Sequence, residues 1–189
     1  MNRRRLLLAA PFALLPFAGA FGQAPTRDYG GAFILVDHHG KTVMDEAFRG
    51  KYMLISFGYT HCPDICPALL MDMANVVNAL GPDGQSIQPV FVTLDPARDT
   101  PAVLADYVSS FSPRMIGLTG PEELVGDVLR KYRIKVQKQP SENGDYSIDH
   151  TAAIFLMGRD GHFLERFNSG VKTAEMVEAI RARLKADAQ

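Results

Sequence analysis

The chain has 189 residues, of which 47% are hydrophobic and 22% are charged, and its formal net charge is −1. These proportions are ordinary for a globular fold and leave room for a sizeable core in a single domain. A charge this close to zero gives no support for nucleic-acid binding, so no nucleic-acid partner is expected.

The amino-terminal segment differs in character from the rest of the chain. A basic start at 2–5 is followed by an apolar run at 6–21, which Pro11 and Pro16 interrupt. The small residues at 18–20 fit a signal-peptidase cleavage site. This pattern is typical of a secretory signal peptide.

We therefore expect a signal peptide at 1–20, a linker at 21–28 and a folded domain at 29–189. The alternative is an uncleaved membrane anchor at 1–20, although the apolar run is shorter than the roughly 20 residues of a spanning helix. Export would place the cysteines in an oxidising compartment.

The first half of the domain reads as a hairpin and two βα units. We expect hairpin arms at 31–36 and 41–43, a helical turn at 45–48, a buried strand at 52–57, a helix at 67–80, a second buried strand at 89–94 and a helix from 101 to about 111. Thr100 is the predicted N-cap of that last helix.

The second half continues with shorter elements. We expect a strand at 115–119, a helix at 121–132, an extended edge segment at 134–137, a mobile loop at 139–146, a buried strand at 152–157, its hairpin partner at 163–167 and a final helix at 173–186. The order predicts an α/β fold: a single thioredoxin-like domain, with a mixed sheet flanked by helices on both faces and an N-terminal β-hairpin.

The only two cysteines, Cys62 and Cys66, fall between the strand at 52–57 and the helix at 67–80. Ligands bind at such strand-to-helix junctions, and a helix amino terminus stabilises a thiolate. Residues four apart on a helix have Cβ atoms roughly 5–6 Å apart, whereas a relaxed disulfide needs about 3.5–4.5 Å. The spacing therefore favours a shared metal ion, and a structural disulfide stays open as the alternative.

Two sulfur ligands narrow the choice of metal. Soft thiolates select Cu(I), zinc or iron–sulfur clusters, but structural zinc usually takes four protein ligands and clusters usually take four cysteines. A Cys₂His site of low coordination suits copper, because an imidazole lets it hold Cu(II) as well as Cu(I).

Five histidines are candidates for the third ligand. His150 begins a buried strand after the mobile loop, and the fold allows it to approach Cys66 because strand ends and loops converge on one edge of the sheet. His61 adjoins Cys62 and is expected to tune the thiolates rather than to bind the ion. The others are expected in exposed turns: His38, His39 and His162.

Asp95 and Arg98 follow the strand at 89–94 and lie on the same edge as the cysteines. Two interpretations are open for this pair. It shapes the site or a partner surface, or it only ties down its own loop.

Several segments together resemble the Sco/SenC family of copper proteins. The matching segments are Gly50-Lys-Tyr, Phe57-Gly-Tyr-Thr-His-Cys-Pro-Asp-Ile-Cys-Pro67, Asp95-Pro-Ala-Arg-Asp-Thr-Pro101, Tyr132-Arg-Ile, Asp149-His150 and residues 156–163. They span residues 29 to about 185 in the family's order. Tyr59 is often phenylalanine in the family, a conservative difference.

The resemblance implies a thioredoxin-like fold in which Cys62, Cys66 and His150 bind one copper ion per chain, as Cu(I) or Cu(II). It implies a metallochaperone, not an enzyme, that supplies copper to the dinuclear copper centre of cytochrome c oxidase subunit II. It further implies a periplasmic location, a tether to the inner membrane through the amino terminus in some members, and exchange with other periplasmic copper carriers.

The main alternative is a thiol–disulfide oxidoreductase in which Cys62 and Cys66 are a redox-active pair that keeps partner cysteines reduced. A reductase needs only the two sulfurs, so a role for His150 distinguishes the two hypotheses. A peroxidase with Arg98 as the partner of one reactive cysteine is a weaker third option.

Overall fold

The computed structural model describes residues 29–140 and 145–187. The expected signal peptide or anchor at 1–20 and the linker at 21–28 lie outside the described residues. Within the described ranges, no helix is both long enough and apolar enough to cross a membrane.

The described residues form nine strands and four α-helices. In chain order they are β1 (Ile34–Asp37), β2 (Thr42–Met44), β3 (Tyr52–Gly58), α1 (Ile65–Ala79), β4 (Ile87–Thr93), α2 (Pro101–Ser109), β5 (Ile116–Thr119), α3 (Glu122–Lys131), β6 (Val136–Pro140), β7 (Tyr146–His150), β8 (Ala153–Met157), β9 (Phe163–Asn168) and α4 (Thr173–Ala186). Short 3₁₀ turns occupy Asp45–Phe48 and Gly81–Ser86.

Seven strands form one mixed sheet in the order β2-β1-β5-β4-β3-β8-β9. Strands β3, β4 and β5 are parallel, whereas β1 and β8 run antiparallel to their neighbours. The mixed α/β fold and its N-terminal hairpin are thereby confirmed. Strands β6 and β7 pair with each other in a separate two-stranded sheet.

Helices cover both faces of the large sheet. Strand β3 is buried at every position, and its side chains alternate between faces, so Leu54 and Ile55 belong to different apolar clusters. The cluster of Ile55 includes Val125 of α3. The cluster of Leu54 contains residues of the other three helices: Leu70 of α1, Leu104 of α2 and Ile180 of α4.

The segment before β8 differs from the expectation. Both ends of the predicted mobile loop at 139–146 belong to strands, because Val136–Pro140 pairs antiparallel with Tyr146–His150. Of the five positions between these arms, 141–144 lie outside the described residues. His150 is thus the last residue of β7 and does not open the buried strand, which begins at Ala153.

Candidate metal centre

The cysteine loop connects the carboxyl end of β3 to the amino end of α1, as predicted. Helix α1 begins at Ile65, so Cys66 and Pro67 both lie in its first turn. The proline costs no hydrogen bond there, because the first backbone N–H groups of a helix have no intrahelical acceptor. One of those groups, the N–H of Cys66, donates to the Sγ of Cys62 at 3.4 Å. That contact ties the side chain of Cys62 to the first turn of the helix.

The structure brings together the three residues that the sequence singled out. The Nε2 atom of His150 lies 3.3 Å from the Sγ of Cys66. The two sulfurs and an imidazole nitrogen all lie within 4.8 Å of one another. Both cysteines are free thiols, so the disulfide alternative is not the state seen here.

The imidazole of His150 is oriented by the backbone of the next residue, Thr151. Its Nδ1 lies 3.1 Å from the carbonyl oxygen of Thr151. A carbonyl oxygen only accepts hydrogen bonds, so Nδ1 carries the proton and the neutral ring presents the lone pair of Nε2 to Cys66. This tautomer is the one in which Nε2 binds a metal.

Burial favours the neutral forms of Cys66 and His150. It raises the pKa of the Cys66 thiol, and the neighbouring Cys62 side chain adds to that rise. It lowers the pKa of His150, because desolvation penalises the imidazolium. At neutral pH a Cys66 S–H therefore faces a neutral imidazole, and a metal ion has to displace the proton of Cys66 in order to bind.

A buried carboxylate that the sequence analysis missed anchors the cysteine loop. Asp99 is fully buried. It accepts hydrogen bonds from the Thr60 amide at 3.1 Å and from the hydroxyls of Thr60 and Thr93 at 2.6 Å each. Thr60 lies two residues before Cys62, so these bonds fix the start of the loop. Asp99 stands inside the matched segment 95–101, which is the one sequence signal that could have singled it out.

Tyr59 joins the cysteine loop to the hairpin that carries His150. Its hydroxyl accepts a hydrogen bond from the amide of Ile148 at 3.2 Å, and its ring lies edge-on to the imidazole of His150 at 6.3 Å. A phenylalanine at this position has no hydroxyl and could not accept that bond. Tyr59 therefore adds a hydrogen bond between the cysteine loop and the hairpin.

The remaining histidines lie outside the cluster. The side chain of His61 is 51% exposed, and its Nδ1 contacts the hydroxyl of Thr60 at 3.1 Å. His162 is solvated, as expected. His38 corrects the expectation of an exposed turn, because it is half-buried and its Nδ1 accepts from the Gly117 amide at 3.1 Å.

Comparison with known proteins places the chain among relatives of one family. The SCO1/SenC family profile matches residues 22–185. The mitochondrial SCO2 homologue of Mus musculus is 43% identical over 159 residues, which cover 82% of this chain and 62% of the mouse protein. The chain thus spans less than two thirds of that relative, and 53% of the human SCO1 homologue.

Two solved structures agree with the fold. The copper-bound structure of Bradyrhizobium japonicum ScoI is 44% identical, with a TM-score of 0.75 over 81% of this chain and 98% of that one. Copper-bound yeast Sco1 is 36% identical, with a TM-score of 0.77 over 83% of this chain and 88% of the yeast chain. The thioredoxin-like fold is thereby confirmed. With its profile match, sequence identity and fold in agreement, the chain belongs to the SCO1/SenC family.

Proposed function

We propose that this protein is a copper chaperone and that Cys62, Cys66 and His150 hold one copper ion as cargo. The observation that carries the proposal is the approach of two sulfurs and one imidazole nitrogen to within 4.8 Å of one another. Copper bound to the relatives from Bradyrhizobium japonicum and yeast supports the choice of ion.

The donor set fits the two oxidation states of copper. Two thiolates suit the soft Cu(I) ion, and the imidazole extends the range to Cu(II). Loading releases the proton of Cys66, since a thiol binds metal as its thiolate. The lone pair of the His150 Nε2 is already turned inward, so that ligand needs no change of tautomer.

The two sulfurs differ in their access to solvent. Cys66 is 1% exposed, whereas Cys62 is only partly buried. A shallow groove next to the cysteine loop is lined by His61, Pro63 and Tyr146, among others. An incoming ligand of a partner protein therefore reaches the ion from the side of Cys62, and this sulfur is the first to be exchanged.

The proposed recipient is the dinuclear copper centre of cytochrome c oxidase subunit II. The related protein BsSco is described as a member of the Sco family of cytochrome c oxidase assembly proteins. This description supports a copper centre of that oxidase as the recipient. Export of the domain by the segment at 1–20, or its tethering there to the inner membrane, would bring it to the periplasmic side where exchange with other copper carriers takes place.

The second candidate is a thiol–disulfide oxidoreductase. It is favoured by the free state of both cysteines and by the amide of Cys66 directed at the Sγ of Cys62. In that reaction the two thiols lose two electrons and two protons to a partner disulfide, which becomes two thiols while Cys62 and Cys66 form a disulfide. Release of copper leaves the same dithiol, so the two activities share one state of the protein.

A copper titration of the reduced protein tests the proposal. We expect one Cu(I) per chain in competition with a chromophoric chelator. His150→Ala should lower the affinity about ten- to a hundredfold, the range found when metal-site residues are altered. His162→Ala is the matched control, because this solvated histidine lies outside the cluster and should leave the affinity unchanged.

The two candidate functions give different results in the same variants. If His150→Ala binds copper as the unmodified protein does, His150 is not a ligand. If metal-free protein and His150→Ala both reduce a disulfide substrate at the full rate while copper binding is weak, the oxidoreductase replaces the chaperone.

A further inference from the structure

His150 is carried by a hairpin that the large sheet does not hold. Among the described residues, β6 and β7 pair only with each other. The alternation of strand side chains turns Tyr146, Ile148 and His150 inward, while Ser147 and Asp149 are exposed. Apart from its continuation along the chain into β8, which begins at Ala153, strand β7 meets the domain through these three inward side chains. The first lies roughly 13 Å from the last at about 3.3 Å per residue.

The Tyr146 end of β7 is held by Arg98, from the loop between β4 and α2. The guanidinium carbon of Arg98 lies 3.8 Å from the centroid of the Tyr146 ring. Its Nη1 donates to the carbonyl oxygen of Tyr146 at 3.2 Å and to the carboxylate of Asp145 at 2.5 Å. The hydroxyl of Tyr146 donates to Asp95 at 2.6 Å, and the Nε of Arg98 donates to the same carboxylate.

Through these contacts Arg98, Tyr146 and Asp95 are each hydrogen-bonded to the other two, and the network is largely buried. The side chain of Asp95 is 0% exposed and that of Arg98 is 18% exposed. A buried carboxylate without partners is strongly unfavourable. Moving Tyr146 away would strip Asp95 of one of its donors, so the hairpin is favoured in the position seen here.

A second fixed point is needed to orient the strand. The hydrogen bond from Ile148 to Tyr59 fixes one point in the middle of β7. With this bond alone, the Tyr146 end of β7 could still swing about Ile148. The contacts of Tyr146 with Arg98 and Asp95 give a second fixed point, and the two points together set the direction of the strand. The same Arg98 guanidinium lies 5.8 Å from the centroid of the Tyr59 ring, so it contacts both anchors of the strand.

We propose that Arg98 is a positioning residue for His150: it clamps the start of β7 onto Asp95 and thereby holds the imidazole at the end of the strand against Cys66. This inference rests on the proposed function, in which His150 binds copper. In this proposal Asp95 and Arg98 shape the metal site, and they do more than hold their own loop in place.

The test combines two substitutions in a double-mutant cycle. Arg98→Met keeps a long side chain but removes every donor, and it should lower the Cu(I) affinity about tenfold or more, as loss of residues that orient metal ligands does. If Arg98 acts through His150, adding Arg98→Met to His150→Ala should cause no further loss. A Cu(II) spectrum of Arg98→Met should move toward that of His150→Ala.

Arg114→Met is the matched control. Arg114 is also half-buried, and it donates to the carbonyl oxygens of Gly84 at 3.0 Å and Ile87 at 2.8 Å, at the opposite end of β4. The change should affect folding without affecting copper affinity. Tyr146→Phe removes only the hydroxyl bond to Asp95 and keeps the stacked ring, so it provides a milder test if Arg98→Met does not fold.

Hydrogen exchange supplies a readout without copper. In the metal-free protein, the amide of Ile148 should exchange faster in Arg98→Met and in Tyr146→Phe than in Arg114→Met, because release of the Tyr146 end loosens the bond to Tyr59. Arg98→Lys, which keeps the charge beside Asp95 but has no planar fork, should lie between Arg98→Met and the unmodified protein.

Three results would overturn the proposal. The first is a copper affinity of Arg98→Met equal to that of Arg114→Met. The second is a double variant in which the losses from Arg98→Met and His150→Ala add in full. The third is unchanged affinity in His150→Ala, which removes the proposed ligand itself and is distinguished from the other two because it appears without any change at Arg98.

Discussion

Gly58 is the position at which one added methyl group tests the geometry of the site most directly. It ends β3, immediately beneath the cysteine loop, and its φ is not positive, so alanine can adopt the backbone without strain. A Cβ built there would lie 2.7 Å from the Sγ of Cys66 and 2.9 Å from a ring carbon of Phe91. We therefore predict that Gly58→Ala displaces Cys66.

The size of the effect follows from those distances. Non-bonded heavy atoms prefer about 3.5–4.0 Å, so the sulfur has to retreat by about 1 Å. Metal–ligand distances are held to about 0.2 Å, which is far less than that movement. We expect the Cu(I) affinity to fall at least about tenfold, the lower end of the range for altered metal sites. Overpacking should lower the free energy of unfolding by about 1–3 kcal/mol, partly offset by the smaller entropy of the unfolded chain.

Gly117→Ala separates the two effects. Gly117 also lies in a buried strand, and its added Cβ would meet Leu104 and Val108 at 3.2 Å each, away from the cysteines. Urea unfolding of the reduced, metal-free variants should show a loss of stability in both. A chelator competition should show weakened copper binding only in Gly58→Ala. Unchanged affinity in Gly58→Ala at a reduced stability would refute the inferred position of the Cys66 sulfur.

Three further predictions concern the loop, a helix cap and pH. Asp99→Ala leaves the buried donors of Thr60 and Thr93 without an acceptor, and it should lower the free energy of unfolding in urea by about 3 kcal/mol and alter the Cu(II) spectrum. Thr100→Ala removes the confirmed N-cap bond to Val103 and should cost about 1 kcal/mol in the same assay with no change in copper affinity. Because burial raises the pKa of Cys66, its contribution to stability is complete below the pKa of the unfolded thiol and is lost as pH rises above that value. The unfolding free energy of metal-free protein should therefore fall with pH above about 9, by up to about 1.4 kcal/mol per unit, and Cys66→Ala should flatten that slope. An unchanged slope would contradict the burial argument.

Local patterns were sufficient to predict the scaffold of the site. The three- and four-residue spacing of apolar side chains predicted the final helix with the bounds that the structure has, Thr173–Ala186. The apolar run that became β3 and the prolines beside the cysteines placed Cys62 and Cys66 at a strand-to-helix junction. These features depend on neighbours along the chain, which is why one sequence was enough to read them.

Local sequence patterns could not predict the hairpin that carries His150 or the contacts that hold it. Strand β6 is largely exposed. Only its first two residues fell within the extended edge segment predicted at 134–137, and its end was assigned to the loop at 139–146. The ties that hold β7 run from Tyr59 and Arg98, which are distant in sequence from Ile148 and Tyr146. Tertiary packing sets such pairings, and the composition of the segments involved does not reveal them.

The arrangement of Cys66 and His150 has a consequence for the proposed transfer of copper. The thiol of Cys66 and the imidazole of His150 form a neutral hydrogen-bonded pair at 3.3 Å, so departure of the ion leaves no unpaired buried charge at these two groups. The contacts of Arg98 and Tyr59 with β7 do not involve the proposed copper ligands Cys62 and Cys66, so they can hold the strand without help from the ion. Preorganisation of this kind strengthens binding, while the partly exposed Cys62 keeps one side open to exchange. The proposed role as a copper carrier needs both properties, and here they belong to different residues of the same site.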